Sequence, residues 1–158
     1  MMSNYIGAME NSEGIIALVS AVRQKASHFI AEQLKRRGIT DIATPYGGIF
    51  VHLFKNGELS MGDIARRIDR DKSTVTSLVK KLVALGYVET NTSSSDSRVT
   101  TVRLTGKGGA LENDFKEISI MLQEMIYQDF SALEKDILVR LLMRVKGNFE
   151  DHQSDSLT

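Results

Sequence analysis

Residues 60–104 hold the feature that most restricts what this chain folds into: two short helices across a tight turn, then a polar-tipped hairpin. Ser60 and Asp63 have the spacing of a capping box, with Asp in place of Glu. Met61, Ile64, Ala65 and Ile68 then share one helix face. Asp69-Arg70-Asp71 makes the turn, and Asp71 is placed to cap the next helix. In that helix, about 72–85, Val75, Leu78, Val79, Leu82 and Val83 form an apolar stripe, and Gly86 ends it. Lys72, Ser73, Thr74, Thr76, Ser77, Lys80 and Lys81 occupy the other positions. Two short β-branched stretches follow, Tyr87-Val88-Glu89-Thr90 and Thr100-Thr101-Val102-Arg103-Leu104, which predict two strands. Between them Asn91 to Val99 is polar, with four serines, and reads as a mobile hairpin tip. A polar face is ordinary on a surface helix. At this place, after a helix and a turn and before a hairpin, its hydroxyls and lysines suit entry into a DNA major groove.

The flanks are helical. Ile15, Val19, Val22, Ala26 and Phe29 recur at helical spacing, and Ser12 and Glu13 supply a start. Ile16, Leu18, Ile30 and Leu34 widen the stripe beyond what one core-facing side needs, so this helix is expected to pack against a second chain as well. Lys35, Arg36, Arg37 and then Gly38 mark its end. Thr44-Pro45 reads as an N-cap and first helical residue, opening a helix with Ile49, Phe50, Leu53 and Phe54 that stops at Asn56-Gly57. Thr105 is expected to cap a long helix carrying Leu111, Phe115, Ile118, Leu122, Met125 and Ile126. Ser131-Ala132-Leu133-Glu134 is a capping box for a last helix with Ile137, Leu138, Leu141, Leu142 and Val145, ending at Gly147. Residues 150–158 read as a frayed polar tail.

Composition removes several function classes. The chain has 158 residues and no cysteine, so disulfides and thiolate metal sites are excluded. Its three histidines, His28, His52 and His152, are scattered, which argues for no metal site. No phosphate loop, paired catalytic carboxylates or nucleophile motif is visible, and Gly106-Lys107-Gly108-Gly109 lacks the hydroxyl residue that follows the lysine of a phosphate loop. An enzyme is therefore not expected, nor any cofactor. No apolar run spans a bilayer and Met1 to Ser12 does not read as a signal peptide, so a cytoplasmic protein without membrane contact is expected. Net charge is zero, but residues 60–104 carry eight Lys+Arg against five Asp+Glu, while residues 105–158 carry six against ten. The middle third is the basic one.

The order of elements, with Ile64-Ala65, Lys72-Ser73-Thr74-Val75-Thr76, Leu82-Val83-Ala84-Leu85-Gly86-Tyr87-Val88, Asp96-Ser97-Arg98 and Leu104-Thr105-Gly106-Lys107-Gly108, resembles the MarR (multiple antibiotic resistance regulator) family of winged helix-turn-helix transcription factors. The resemblance covers roughly Glu13 to Phe149. It implies a mainly α fold with a small β-wing. Residues 1–158 would form a single winged helix domain, with dimerisation helices at 12–37 and 106–148 and a DNA-binding lobe at 44–104, its wing at 87–104. The function it implies is that of a sequence-specific regulator, a repressor, binding a pseudo-palindromic double-stranded DNA operator as a homodimer and released by a small aromatic or phenolic effector.

Site residues follow. Lys72, Ser73, Thr74, Thr76 and Ser77, in the first turns of the recognition helix, face base edges; Lys80 and Lys81 face phosphates. Hydroxyls there suit either donors or acceptors on the bases. The resemblance has Asp96 orient Arg98 into the minor groove, and Arg103 is the other basic residue of the wing. Arg23, His28, Phe29, Tyr46 and Phe50 are candidates for an effector pocket in the crevice where this family holds ligands, Arg23 or Lys25 pairing with an anion; the aromatics also suit an ordinary core. The alternative reading is a winged helix that binds protein without reading DNA.

Overall fold

The computed structural model describes the backbone of residues 2–92 and 99–155, and the side chains of residues 14–91 and 99–149. Seven helices and three strands follow one another among them. These are α1 (Met2–Arg36), a 3-10 turn (Thr44–Tyr46), α2 (Gly47–Asn56), β1 (Glu58–Ser60), α3 (Met61–Ile68), α4 (Lys72–Ala84), β2 (Val88–Thr92), β3 (Thr100–Leu104), α5 (Gly106–Gly109), α6 (Glu112–Ile126) and α7 (Ala132–Asp155). No described helix is long and apolar enough to cross a membrane. The chain divides into two compact units, residues 1–122 and 123–158.

The core of the first unit is built from the stripes the sequence displays. Leu34, Ile49, Phe50, Leu53, Ile64, Val75, Val79, Leu82, Val88 and Val102 are almost wholly buried. Phe50 is its centre: its ring lies 4.9 Å from that of Phe115, 5.8 Å from Phe54 and 5.8 Å edge-on from Tyr87. The stripe on α4 is narrower than its sequence suggests. Val75, Val79 and Leu82 are buried, Leu78 is partly so, and Val83 is 41% exposed.

Two helix ends use glycine as expected. After α1, Gly38 takes φ 76° and the Ile39 N–H reaches back to the Leu34 carbonyl at 2.9 Å. After α4, Gly86 takes φ 76° and the Tyr87 N–H reaches the Leu82 carbonyl at 3.0 Å. Both are Schellman closures. They seat Ile39 and Tyr87 in the core and fix where each following segment starts.

Five expectations are corrected. The first helix begins at Met2, so Ser12 and Glu13 lie inside it rather than at its start. Thr44 is not an N-cap: Ala43 precedes the 3-10 turn, and the Thr44 hydroxyl donates to the Ser27 carbonyl at 3.3 Å, tying this loop to α1. A third strand, β1, pairs antiparallel with β3, giving the order β1-β3-β2. Thr105 caps only the four-residue α5; the chain then turns at Ala110 before α6 begins. Within α5 position 108 requires glycine, because a Cβ there would stand 2.1 Å from the Tyr87 carbonyl oxygen. Finally, α7 runs through Gly147 to Asp155, since an isolated glycine weakens a helix without ending it.

The second unit contains the end of α6, a turn through Asp129 at φ 61°, and α7. Its capping box is complete: the Ser131 N–H donates to the Glu134 carboxylate at 2.8 Å, and the Glu134 N–H donates to the Ser131 hydroxyl at 3.3 Å. The Ser131 hydroxyl also donates to that carboxylate at 2.6 Å and holds the Glu134 pKa below its ordinary value.

Candidate nucleic-acid interface

The geometry of α4 is set at both ends. At its start the Ser60 hydroxyl caps α3 by accepting from the Asp63 N–H at 3.0 Å and donates to the Asp63 carboxylate at 2.7 Å. That hydroxyl, and after it Arg66, hold the Asp63 carboxyl below its ordinary value. Asp69 takes a left-handed backbone at φ 55°, which turns the chain within three residues. Asp71 then caps α4, accepting from the Thr74 N–H at 2.8 Å. The same carboxylate accepts from the Ser73 hydroxyl at 2.5 Å and from the Thr74 hydroxyl at 2.7 Å. These bonds, the Ser73 hydroxyl first, hold the Asp71 carboxyl far below its ordinary range.

At its C-terminal end α4 is held by the segment after β3. The Thr105 hydroxyl donates to the Gly86 carbonyl at 2.7 Å, and the Lys107 ammonium donates to the Leu85 carbonyl at 2.8 Å. These bonds satisfy carbonyls that a helix end leaves without intrahelical partners.

Between these fixed ends, Lys72, Ser73, Ser77, Lys80 and Lys81 are exposed, and Thr74 and Thr76 are half-buried. The Thr76 hydroxyl donates to the Lys72 carbonyl at 2.7 Å. All seven therefore lie on the accessible side of α4, away from Val75, Val79 and Leu82. Sequence reasoning left out Arg67 and Arg70. Both are exposed, one on α3 and one in the turn, and the first helix of a helix-turn-helix crosses the DNA backbone. The signal for Arg67 was in the sequence, because the Ile64, Ala65 and Ile68 stripe turns it outward.

In the hairpin, Thr90 pairs with Val102 and Glu89 with Arg103. Leu59, Val88 and Val102 face the core, so the alternating positions Glu58, Glu89 and Arg103 face away from it. Arg103 is paired with a carboxylate: its Nε is 2.6 Å from Glu89, and a second acidic residue, Glu58, is its register partner on β1. A guanidinium so flanked offers a phosphate less charge than a lysine of α4 does. Asp96 and Arg98 lie outside the described residues, with the rest of 93–98; Asn91 and Thr92, read as part of the hairpin tip, instead extend β2 and pair with Thr101 and Thr100.

The five residues read as an effector pocket do not converge. Phe50 is wholly buried in the aromatic core and Tyr46 is buried beside it. Arg23 and His28 are exposed on α1 and Phe29 is half-buried. His28 and Phe29 line an open groove with Gln24, Lys25 and Glu32. A separate, more enclosed cavity of about 180 Å³ lies within the first unit, lined mainly by Ile30, Leu34, Val51, Phe115, Ile118 and Leu122, with Thr44 and Ser119 as its polar side chains. Among the described residues no group of three or more His, Asp or Glu could hold a metal ion.

Comparison with known proteins agrees with this architecture. A model of the MarR family matches residues 38–99, from the end of α1 into the wing. The HTH-type transcriptional regulator SarZ of Staphylococcus aureus is 30% identical over 108 residues, covering 66% of this chain and 70% of SarZ. YdgJ of Bacillus subtilis, also an HTH-type transcriptional regulator, is 31% identical over 100 residues, 63% of this chain and 60% of YdgJ. The chain thus spans less than two thirds of the length of YdgJ. Among solved structures, a mutant MarR of E. coli complexed with operator DNA shares the fold with a TM-score of 0.73 at 22% identity, over 84% of this chain and 93% of that one. With a helix-turn-helix, a three-stranded wing and these relatives, the chain belongs to the MarR family of winged helix proteins.

Proposed function

We propose that this chain is a cytoplasmic transcriptional repressor that binds a pseudo-palindromic DNA operator as a homodimer and leaves it on binding a small aromatic effector. The observation that carries the reading is the accessible side of α4, where Lys72, Ser73, Thr74, Thr76, Ser77, Lys80 and Lys81 are grouped on a helix fixed at both ends. Arg67 and Arg70 add positive charge beside it. E. coli MarR, of the same fold, has been solved with operator DNA, which supports the same use here.

Two observations support the dimer. On α1, Ile15, Ile16, Leu18, Val19 and Val22 are all about half exposed or more. On α7, Leu133, Leu141, Leu142, Met143 and Phe149 are likewise exposed. Contiguous apolar surface of this kind marks an interaction face. A two-fold dimer covers it and sets two copies of α4 side by side, and consecutive major grooves require a spacing of ~34–36 Å.

The effector has a candidate seat in the 180 Å³ cavity, whose walls draw on α1, α2 and α6. A cavity of roughly 150 Å³ holds one benzene ring. A ligand that prefers a dimer of different helix spacing lowers operator affinity by its differential binding energy.

The test is selection of bound duplexes from a random pool, followed by sedimentation of the protein with the enriched sequence. The expected result is an inverted repeat bound by two chains. A folded protein that enriches no sequence would remove DNA from the function and favour a winged helix that binds protein instead.

A further inference from the structure

We propose that the first turn of α4 selects the amino bases, adenine and cytosine, over guanine and thymine on the strand it faces, because its hydroxyl groups are locked as hydrogen-bond acceptors. The inference rests on the DNA-binding reading above and specifies its chemistry.

A serine or threonine hydroxyl has one proton and two lone pairs, so in a major groove it ordinarily meets donors and acceptors alike. Here three of them are committed. Ser73 Oγ lies 2.5 Å from Asp71 Oδ1, Thr74 Oγ1 lies 2.7 Å from Asp71 Oδ2, and Thr76 Oγ1 lies 2.7 Å from the Lys72 carbonyl. An ionised carboxylate and a carbonyl can only accept, so each hydroxyl proton points at its partner. What these oxygens offer outward is lone pairs.

Reversing a hydroxyl is costly. To meet guanine O6, guanine N7 or thymine O4, Ser73 or Thr74 must turn its proton away from Asp71. That exchanges a charge-assisted bond for a neutral one and leaves the carboxylate short of a donor where DNA excludes water. The amino groups of adenine N6 and cytosine N4 donate into the free lone pairs with no such exchange. Asp71 thus acts as a specificity-positioning residue. It spreads its charge over the Ser73 hydroxyl, the Thr74 hydroxyl and the Thr74 N–H.

The experiment selects bound duplexes from a random pool with the full-length protein and with Asp71→Asn, Ser73→Ala and Thr74→Val. Asparagine keeps an oxygen for the Thr74 N–H but cannot hold both hydroxyl protons, so it frees one of them. In the wild-type operator, at least one position under this turn should favour adenine or cytosine over guanine or thymine on the order of tenfold. Thr74→Val should flatten that preference. Asp71→Asn should move the preference towards guanine or thymine. Circular dichroism and thermal melting check that each variant is folded. If Ser73→Ala and Thr74→Val leave every base preference intact, or erase a preference for guanine or thymine, the inference is overturned while DNA binding stands. If the wild-type protein enriches no sequence, the DNA-binding reading falls first and takes this inference with it.

Discussion

The Lys107 ammonium lies 3.9 Å from the centre of the Tyr87 ring and donates to the Leu85 carbonyl at 2.8 Å. The Tyr87 hydroxyl in turn donates to Asp41 at 2.8 Å, and Asp41 lies 3.6 Å from the same ammonium. One lysine after β3 therefore joins the end of α4, the start of β2 and the loop after α1. These contacts hold the C-terminal end of α4.

Lys107→Met keeps the length of the side chain and removes the charge. Because the lysine is half exposed, its ring contact and hydrogen bond together should be worth about 1–2 kcal/mol. Urea denaturation measures that loss. Operator affinity should fall as well, although Lys107 is not on α4. A variant as stable as the wild type would show that water replaces the lysine without cost.

The glycines of α5 should separate sharply. On Gly108 a Cβ would stand 2.1 Å from the Tyr87 carbonyl oxygen and 3.0 Å from Leu104 Cδ2. The backbone must shift, so Gly108→Ala should destabilise by about 1–3 kcal/mol. At Gly109 a Cβ meets nothing within 4 Å. Gly109→Ala should be neutral or stabilising by up to about 1 kcal/mol, through helix propensity alone. Thermal melts of the two variants side by side decide the matter.

Much of this was legible in the sequence, for a physical reason. Val75, Val79 and Leu82 repeat at helical spacing, and Asp71 and Gly86 bracket them with local chemistry. Local patterns survive without knowledge of the rest of the fold. β1 was not legible, because Glu58, Leu59 and Ser60 become a strand only by pairing with Arg103, Val102 and Thr101, more than forty residues later. The need for glycine at 108 was hidden likewise, since it answers to the Tyr87 carbonyl and not to a neighbour in sequence. At the candidate site the residue types were readable, but the direction of their hydrogen bonds was not. Ser73 and Thr74 are ambivalent until Asp71 takes their protons. For the effector pocket, Phe50 and Tyr46 suited the core better than a lining, and packing against Phe115 and Tyr87 put Phe50 in the core.

Two groups give the pH dependence of stability opposite signs. Burial, and after it the Asp41 carboxylate, push Tyr87 up to about 12 from 10.0. The fold favours its neutral form, so this contribution is complete below pH 10.0 and is lost as pH rises through about 12. In an alkaline absorbance titration Tyr87→Phe should remove a tyrosine that ionises at about 12. Asp71 runs the other way. Its carboxyl is lowered by the Ser73 and Thr74 hydroxyls, so its contribution is present above 3.8 and is lost as pH falls towards its folded value. The gap in melting temperature between wild type and Asp71→Ala should be constant near neutrality and shrink as the pH drops below 3.8.

Charge on the wing and charge on α4 should behave differently towards DNA. Lys80 and Lys81 are exposed on α4, and each phosphate contact they make releases counterions. Lys80→Ala should weaken operator and random duplex alike and lower the slope of log affinity against log salt by about 0.9. Arg103 was read from the sequence as the other basic residue of the wing beside Arg98. Its pairing with Glu89 at 2.6 Å and its register with Glu58 leave it little net charge to give. Arg103→Ala should therefore change the salt slope by well under one, and removing Glu89 alone should strengthen binding by unmasking the guanidinium. Affinities measured over a salt series for Lys80→Ala, Arg103→Ala and Glu89→Gln separate the two roles. Equal slope changes for Lys80→Ala and Arg103→Ala, with no gain from Glu89→Gln, would show that DNA pulls Arg103 away from its carboxylates and that the wing arginine is a phosphate contact after all.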